Sequence, residues 1–189
     1  MRLLVLNASP RKTGTLATLL REAVAGTGGR FDVEWVDVQD LNVNPCVGCM
    51  QCRPDADCVM PADDGHRIAQ SIAQADALLV GTPTYWANMT GPLKVLFDRV
   101  VPALMGETER GMPLPRQKGK RAAVIATCTT PFPFDRLLRQ SSGALRAVTE
   151  VLHYGGYRMV GKLACPGTKR RRGVTEEVLR KARRIGERL

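Results

Sequence analysis

The chain predicts an α/β domain: a doubly wound, five-stranded parallel sheet of order 2-1-3-4-5, with helices on both faces. Three observations carry this. The short apolar runs RLLVL (2–6), ALLVG (77–81) and AAVIA (122–126) lack polar alternation, as strands covered on both faces require. Between them, apolar residues recur at helical spacing. Two further candidate strands are more mixed in character and belong at the sheet edges. The 189 residues suffice for one domain with a full core, and 1–189 reads as a single unit.

The elements follow in chain order. After the first strand, Leu16, Leu19, Leu20, Ala23 and Val24 make one helical stripe. FDVEWVDV (31–38) alternates, with Phe31, Val33 and Trp35 on one face and Asp32 and Glu34 on the other, so it is an edge strand. Beyond the third strand, Leu93, Leu96, Phe97, Val100 and Leu104 predict a helix with Pro92 in its first turn. GETERGMPLPRQKGK (106–120) reads as a mobile loop. Leu137, Leu138, Leu145, Val148 and Val151 predict a longer helix, and Gly-interrupted RMVGKLAC (158–165) the second edge strand. Val178, Ala182, Ile185 and Leu189 recur among arginines, which predicts an amphipathic closing helix with a solvated charged face.

Composition narrows the function classes. No apolar run approaches the roughly 18–20 residues of a membrane helix. The apolar core of MRLLVLNASP is too short for a signal peptide. A cytoplasmic protein with no membrane partner is expected. In that reducing compartment, clustered cysteines point to metal or redox chemistry rather than structural disulfides. The formal net charge is +10, with much of the excess in the closing helix, but no aromatic residues interleave the arginines. Nucleic acid is therefore not an expected partner. His66 and His153 are the only 2 histidines, which argues against a His-rich metal hydrolase and leaves both as structural or surface residues.

In a doubly wound sheet, ligands bind outside the carboxyl ends of the strands, at the switch between strands 1 and 3. The first such loop, NASPRKTGTLATLL, supplies hydroxyls from Ser9, Thr13 and Thr15 and charge from Arg11 and Lys12, just before a helix. Helix N-termini favour phosphate, although an ordinary N-cap accounts for the turn equally well. Neither G-x4-G-K-[ST] nor G-x-G-x-x-G is present. The loop GTPTYWANMTGPLKVLFDR sets Tyr85 and Trp86 beside Asn88 and Thr90, which suits either a flat, polar-edged ring or simple packing of the loop. TCTTPFPFD, after the fourth strand, is another small hydroxyl-rich turn able to approach a planar ligand, with Cys128 read as structural. Finally, Cys46, Cys49, Cys52 and Cys58 are spaced C-x2-C-x2-C-x5-C. That spacing suits a [4Fe–4S] cluster, a zinc ion, a redox-active disulfide or a metal-free loop wall.

ASPRKTGT (8–15), GTPTYWANMTGPLKVLFDR (81–99) and the cysteine run with CVMPADD (58–64) together resemble the NADPH-dependent FMN reductase group. That group includes iron–sulfur flavoproteins and many NAD(P)H:quinone reductases. Two departures are Ala8, where glycine is usual, and Leu16, where relatives often carry a hydroxyl residue. The resemblance implies a flavodoxin-like fold and non-covalent FMN. Its phosphate would be held by Ser9, Arg11, Thr13 and Thr15. Its ring would lie between Pro83, Thr84, Tyr85, Trp86, Asn88 and Met89 on one side and Thr127 and Thr129 on the other. The flavin itself would carry the chemistry, with no catalytic side chain, taking hydride from NADPH or NADH. The implied acceptor is a flavin, a quinone or another small electron-poor molecule, and the implied assembly a homodimer or homotetramer. In iron–sulfur relatives the four cysteines hold a [4Fe–4S] cluster that passes single electrons between a redox partner protein and FMN. Other relatives with similar loops are plain flavin or quinone reductases. A plain flavodoxin is disfavoured, because such carriers are usually acidic.

Overall fold

The computed structural model of the chain describes residues 1–53, 56–169 and 173–189. In order these form β1 (Arg2–Asn7), α1 (Thr15–Gly26), β2 (Asp32–Asp37), α2 (Asp64–Gln74), β3 (Ala77–Pro83), α3 (Gly91–Arg99) and α4 (Val101–Leu104). Then follow β4 (Met105–Glu107), β5 (Pro113–Pro115), β6 (Arg121–Thr127), α5 (Phe134–Leu137), α6 (Gln140–Tyr154), β7 (Arg158–Cys165) and α7 (Glu176–Arg188). The main sheet runs β2-β1-β3-β6-β7 with every pairing parallel. Set aside the small antiparallel β4–β5 ribbon and this is the expected flavodoxin-like order.

The central runs are apolar throughout because successive side chains enter two different cores. Leu4, Leu6, Leu78 and Val80 point toward Ile68, Ile72, Leu93, Phe97 and Val148, on α2, α3 and α6. Leu3, Val5, Leu79 and Ile125 point the other way, toward Leu16, Leu19 and Leu20 of α1 and Ala182 and Ile185 of α7. The edge strand β2 keeps Asp32 and Glu34 exposed.

Three expectations are corrected. The helix expected through Leu104 breaks at Val100, and α4 restarts with Pro102 in its first turn. The helix expected from Leu137 begins only at Gln140, after Arg139 takes a left-handed conformation at φ 52°. Leu137 and Leu138 are consequently exposed, at 76% and 58%, and lie outside the core stripe. Stretch 106–120, read as a loop, contains part of the β4–β5 ribbon. Helix α2 had no counterpart in the sequence reading, although Asp63 caps it in a capping box with His66. Among the described residues no helix is long and apolar enough to cross a membrane.

Helices α1 and α7 cross at two glycines. A Cβ on Gly186 would lie 1.8 Å from the Ala23 carbonyl oxygen, and one on Gly26 would lie 2.0 Å from that of Arg183. Both neighbours are backbone, so neither can swing aside. Gly186→Ala should therefore lower unfolding stability by about 1–3 kcal/mol, as overpacked cores do. Urea denaturation checks this, and an unchanged midpoint would mean that the helices are not in contact here.

Candidate functional site

Strands β1 and β3 are hydrogen-bonded neighbours, but the chain leaves them on opposite faces, through α1 and through α3. Their carboxyl ends therefore part and leave a cleft. Backbone bonds hold its walls: Ala8 N–H to Gly81 O at 2.9 Å, Thr84 N–H to Thr127 O at 2.7 Å, and Cys128 N–H to Cys165 O at 3.1 Å. The cleft, about 190 Å³, is lined by Ser9, Arg11, Thr15, Pro83, Thr84, Tyr85, Thr127 and Thr129, eight of the twelve residues singled out from sequence. Pro10, Gly14, Leu16, Cys128 and Thr168 complete the lining.

The first loop is shaped by its own polar groups. Asn7 donates from Nδ2 to Asp37 at 2.7 Å and accepts from Ser9 N–H at 3.2 Å. Ser9 Oγ in turn accepts from Arg11 N–H at 3.1 Å. The chain then enters α1 at Gly14, with no side-chain cap and no acidic residue in the first turn. That leaves a helix start suited to an anion. Lys12 is turned away into an ion pair with Asp40.

Thr13, Trp86, Asn88 and Met89 lie outside this lining. Thr13 is exposed, and Met89 packs in the core. Asn88 Oδ1 accepts from Met89 N–H at 2.8 Å, which shapes the turn. Tyr85 and Asn88 exchange backbone bonds of 3.0 and 2.9 Å across a tight turn. There Trp86 and Ala87 adopt φ of 53° and 57°, projecting Trp86 98% exposed. Gly143 of α6 backs onto this turn, where a Cβ would lie 2.1 Å from Ala87 O.

Thr168 was not singled out from sequence. Its N–H and its hydroxyl both donate to Cys128 O at 3.1 Å, tying the loop after β7 to the loop after β6. Its signal was positional: PGT follows the fifth strand of the sheet, at the same carboxyl edge. Cys128 is buried and donates to Thr130 O at 3.4 Å. Burial, followed by the nearby Asp135 charge, pushes its thiol up, which fits the structural reading. His66 is likewise structural, being part of the α2 cap.

Cys46, Cys49, Cys52 and Cys58 all line one small cavity of about 70 Å³, with Val59, Met60, Val101 and Pro102. Left-handed turns at Gly48 and Met50, φ 67° and 61°, curl the chain around it. Gly48 N–H donates to Cys46 Sγ at 3.4 Å, and burial pushes the Cys52 thiol up. Among the described residues no three His, Cys, Asp or Glu side chains converge on a point suited to one metal ion. Four cysteines on one cavity supply the all-thiolate donor set that either a [4Fe–4S] cluster or a zinc ion takes.

The loop is fastened by a buried ion pair. Arg99 and Asp63, whose side chains are 1% and 3% exposed, meet at 3.0 and 3.1 Å through two separate oxygens. Arg99 also donates to Asn44 O at 2.9 Å, and Asp63 accepts from Asn44 N–H at 3.0 Å. A larger groove of about 410 Å³ along α2 shares Cys58, Arg99 and Pro102 with the cysteine cavity. It carries none of the phosphate or ring candidates, so volume alone does not make it the site.

Residues 1–164 match the family model described as NADPH-dependent FMN reductase. The chain belongs to the NADPH-dependent FMN reductase family. An iron–sulfur flavoprotein of Methanocaldococcus jannaschii is 31% identical over 107 residues, 56% of this chain and 55% of its own length. An iron–sulfur flavoprotein of Archaeoglobus fulgidus is 38% identical over 108 residues, 56% of this chain and 52% of its own. The NAD(P)H-dependent FAD/FMN reductase of Geobacillus thermodenitrificans is 28% identical over 102 residues, 52% of this chain and 51% of its own. The alignments thus span about half the length of these curated relatives. Among solved structures, a protein of Streptococcus mutans UA159 superposes with TM-score 0.76 at 18% identity, covering 100% of both chains. An NADH:FMN oxidoreductase in its apo form gives 0.64 at 25% identity, covering 98% of this chain and 86% of that one. The family model thus accounts for residues 1–164, and the likeness in fold covers the rest of the chain as well.

Burial by itself raises the Asp63 carboxyl, but hydrogen bonds from Asn44 and Gly65 and the Arg99 charge outweigh it. They hold the group below its ordinary 3.8. A carboxyl depressed in the folded state stabilises above its unfolded pKa and loses that stabilisation as pH falls through the folded value. Unfolding free energy should therefore drop as pH falls below about 4. Asp63→Asn should be less stable at neutral pH by about 3–5 kcal/mol, because Arg99 is left buried and unpaired. It should also lack Asp63's share of the acid slope. Urea unfolding across pH checks both, and equal slopes in variant and wild type would refute the assignment.

Proposed function

We propose that the chain is an FMN-dependent oxidoreductase that takes hydride from NADPH or NADH and reduces a small electron-poor acceptor of the flavin or quinone class. The observation that carries this reading is the convergence of four strand-end loops on one cleft beside an uncapped helix start. Ser9, Arg11 and Thr15, with the first-turn amides of α1, are suited to the FMN phosphate, and Thr13 sits in the same turn. The ring belongs between the 83–90 turn and Thr127 and Thr129. There Thr84 Oγ1 is buried with no partner, as a group awaiting a ligand would be. When bound, FMN supplies the redox chemistry. The chain's part is to hold the cofactor, exclude water beneath it and leave one face open beside Tyr85 and Trp86 for nicotinamide and acceptor.

Assembly as a homodimer or homotetramer belongs to this reading. Trp86, Phe132, Phe134, Leu137 and Leu138 are exposed apolar side chains on the loops after β3 and β6 and in the short helix α5. Exposed apolar side chains of this size are suited to a subunit contact. A cytoplasmic location, where the six cysteines stay reduced, is also part of it.

A second reading is favoured by the single cavity that all four loop cysteines share. In it, Cys46, Cys49, Cys52 and Cys58 hold a [4Fe–4S] cluster and exchange single electrons with a redox partner protein, as an iron–sulfur flavoprotein would. Iron content of anaerobically purified protein separates the two readings: about four irons per chain supports the relay, and none removes it.

Replacing Ser9 and Arg11 together with alanine should weaken FMN binding at least about tenfold, the cost of losing hydrogen bonds to a charged group. The circular dichroism spectrum should not change. Flavin fluorescence titration checks this, and an unaltered dissociation constant would misplace the phosphate. Wild-type protein loaded with FMN should bleach on adding NADPH or NADH without oxygen; persistent yellow colour would refute the enzyme reading.

A further inference from the structure

The two ends of the cysteine loop are tied to one buried network. At the leading end, Asn44, two residues before Cys46, is gripped through its carbonyl by Arg99 and through its N–H and its Nδ2 by Asp63, at 2.9, 3.0 and 3.3 Å. At the trailing end, His66 Nε2–H donates to the carbonyl of Cys58 at 3.1 Å, while its Nδ1 accepts from Asp63 N–H at 3.3 Å. Asp63 is common to both grips, and the guanidinium of Arg99 holds Asp63 in a bidentate pair. The planar guanidinium makes two parallel bonds to the carboxylate and a further one to the Asn44 carbonyl in a fixed geometry, whereas a lysine ammonium is a point charge on a flexible stem.

We propose that Arg99, through Asp63 and His66, is a positioning residue for the four-cysteine loop, fixing Asn44 and Cys58 so that the thiols face one cavity before any metal arrives. The preorganisation lies in the chain itself. It holds for a loop that carries a cluster and for one that only walls the site. The iron measurement below rests on the second functional reading; the thiol measurement does not.

The thiol test uses reduced, metal-free, full-length protein without oxygen. Phenylarsine oxide condenses with two neighbouring thiols, forming two As–S bonds and releasing one water, so its capture rate reports how often two thiols stand together. Arg99→Lys and His66→Ala should capture it about tenfold or more slowly than wild type, the scale of outer-shell losses at metal sites. Labelling by a monofunctional thiol reagent should stay equal or rise. His66→Gln, whose amide can still donate to Cys58 O, should restore most of the rate, which a general loss of stability would not allow. Unchanged circular dichroism certifies the fold. If Arg99→Lys does not fold, the His66→Ala and His66→Gln pair decides alone. A wild-type capture rate in either Arg99→Lys or His66→Ala would overturn the proposal. Equal loss in His66→Ala and His66→Gln would also overturn it. Iron uptake is read separately: wild type that captures the arsenical but takes up no iron removes the cluster reading and leaves the positioning role standing.

Discussion

The parallel pairing of β1 with β3, in register from Leu3↔Ala77 to Asn7↔Gly81, is the constraint on which the site depends. Because these two strands are neighbours and their connections depart to opposite faces, no helix among the described residues covers the gap beyond Asn7 and Gly81. The bond from Ala8 N–H to Gly81 O extends the ladder one residue past β1 and fixes where the first loop lifts away. Gly81 is part of the same constraint, since a Cβ there would lie 2.7 Å from Leu20 of α1. The helix is pressed against the strand, and its N-terminus is thereby aimed at the cleft.

A second, more local constraint shapes the cysteine loop. Long irregular segments between strand and helix are held by side chains, since they have no ladder of their own. Here the anchor is ionic and almost wholly buried. Removing one partner of such a pair costs about 3–5 kcal/mol, whereas the intact pair adds little over an apolar substitute. Its value lies in specifying one loop conformation. Arg53, paired with Glu107 at 2.6 Å, adds a tie from the middle of the loop to the β4–β5 ribbon. The loop is thus fastened at its start, middle and end, while Cys46 and Cys49 stay exposed.

The sheet was legible in the sequence because doubly covered strands must be apolar on both faces, and RLLVL, ALLVG and AAVIA can be little else. The amphipathic closing helix was legible from Ala182 and Ile185 among arginines. What escaped reading depended on contacts distant in sequence. Leu137 and Leu138 look like core residues by periodicity, but a left-handed Arg139 rotates them outward before α6 begins. Helix α2 was hidden by its polarity, with Ile68 and Ile72 its only large buried side chains. In the cleft, the hydroxyl and loop residues were legible by position at strand ends. Met89 was placed with them as part of the 81–99 stretch that carries the family resemblance, and its side chain packs in the core. Thr168 was missed because its loop carries no motif of its own; its one signal was position, after the edge strand that pairs with β6 and so beside Cys128.

The central claim is that one flavin occupies the gap between the ends of β1, β3 and β6. A crystal structure of the protein grown with FMN tests it most directly. The account predicts phosphate density at the N-terminus of α1 against Ser9 and Arg11, with the ring between Thr84–Trp86 and Thr127–Thr129. Flavin density in the groove along α2, or on any surface away from the carboxyl edge of the sheet, would contradict it.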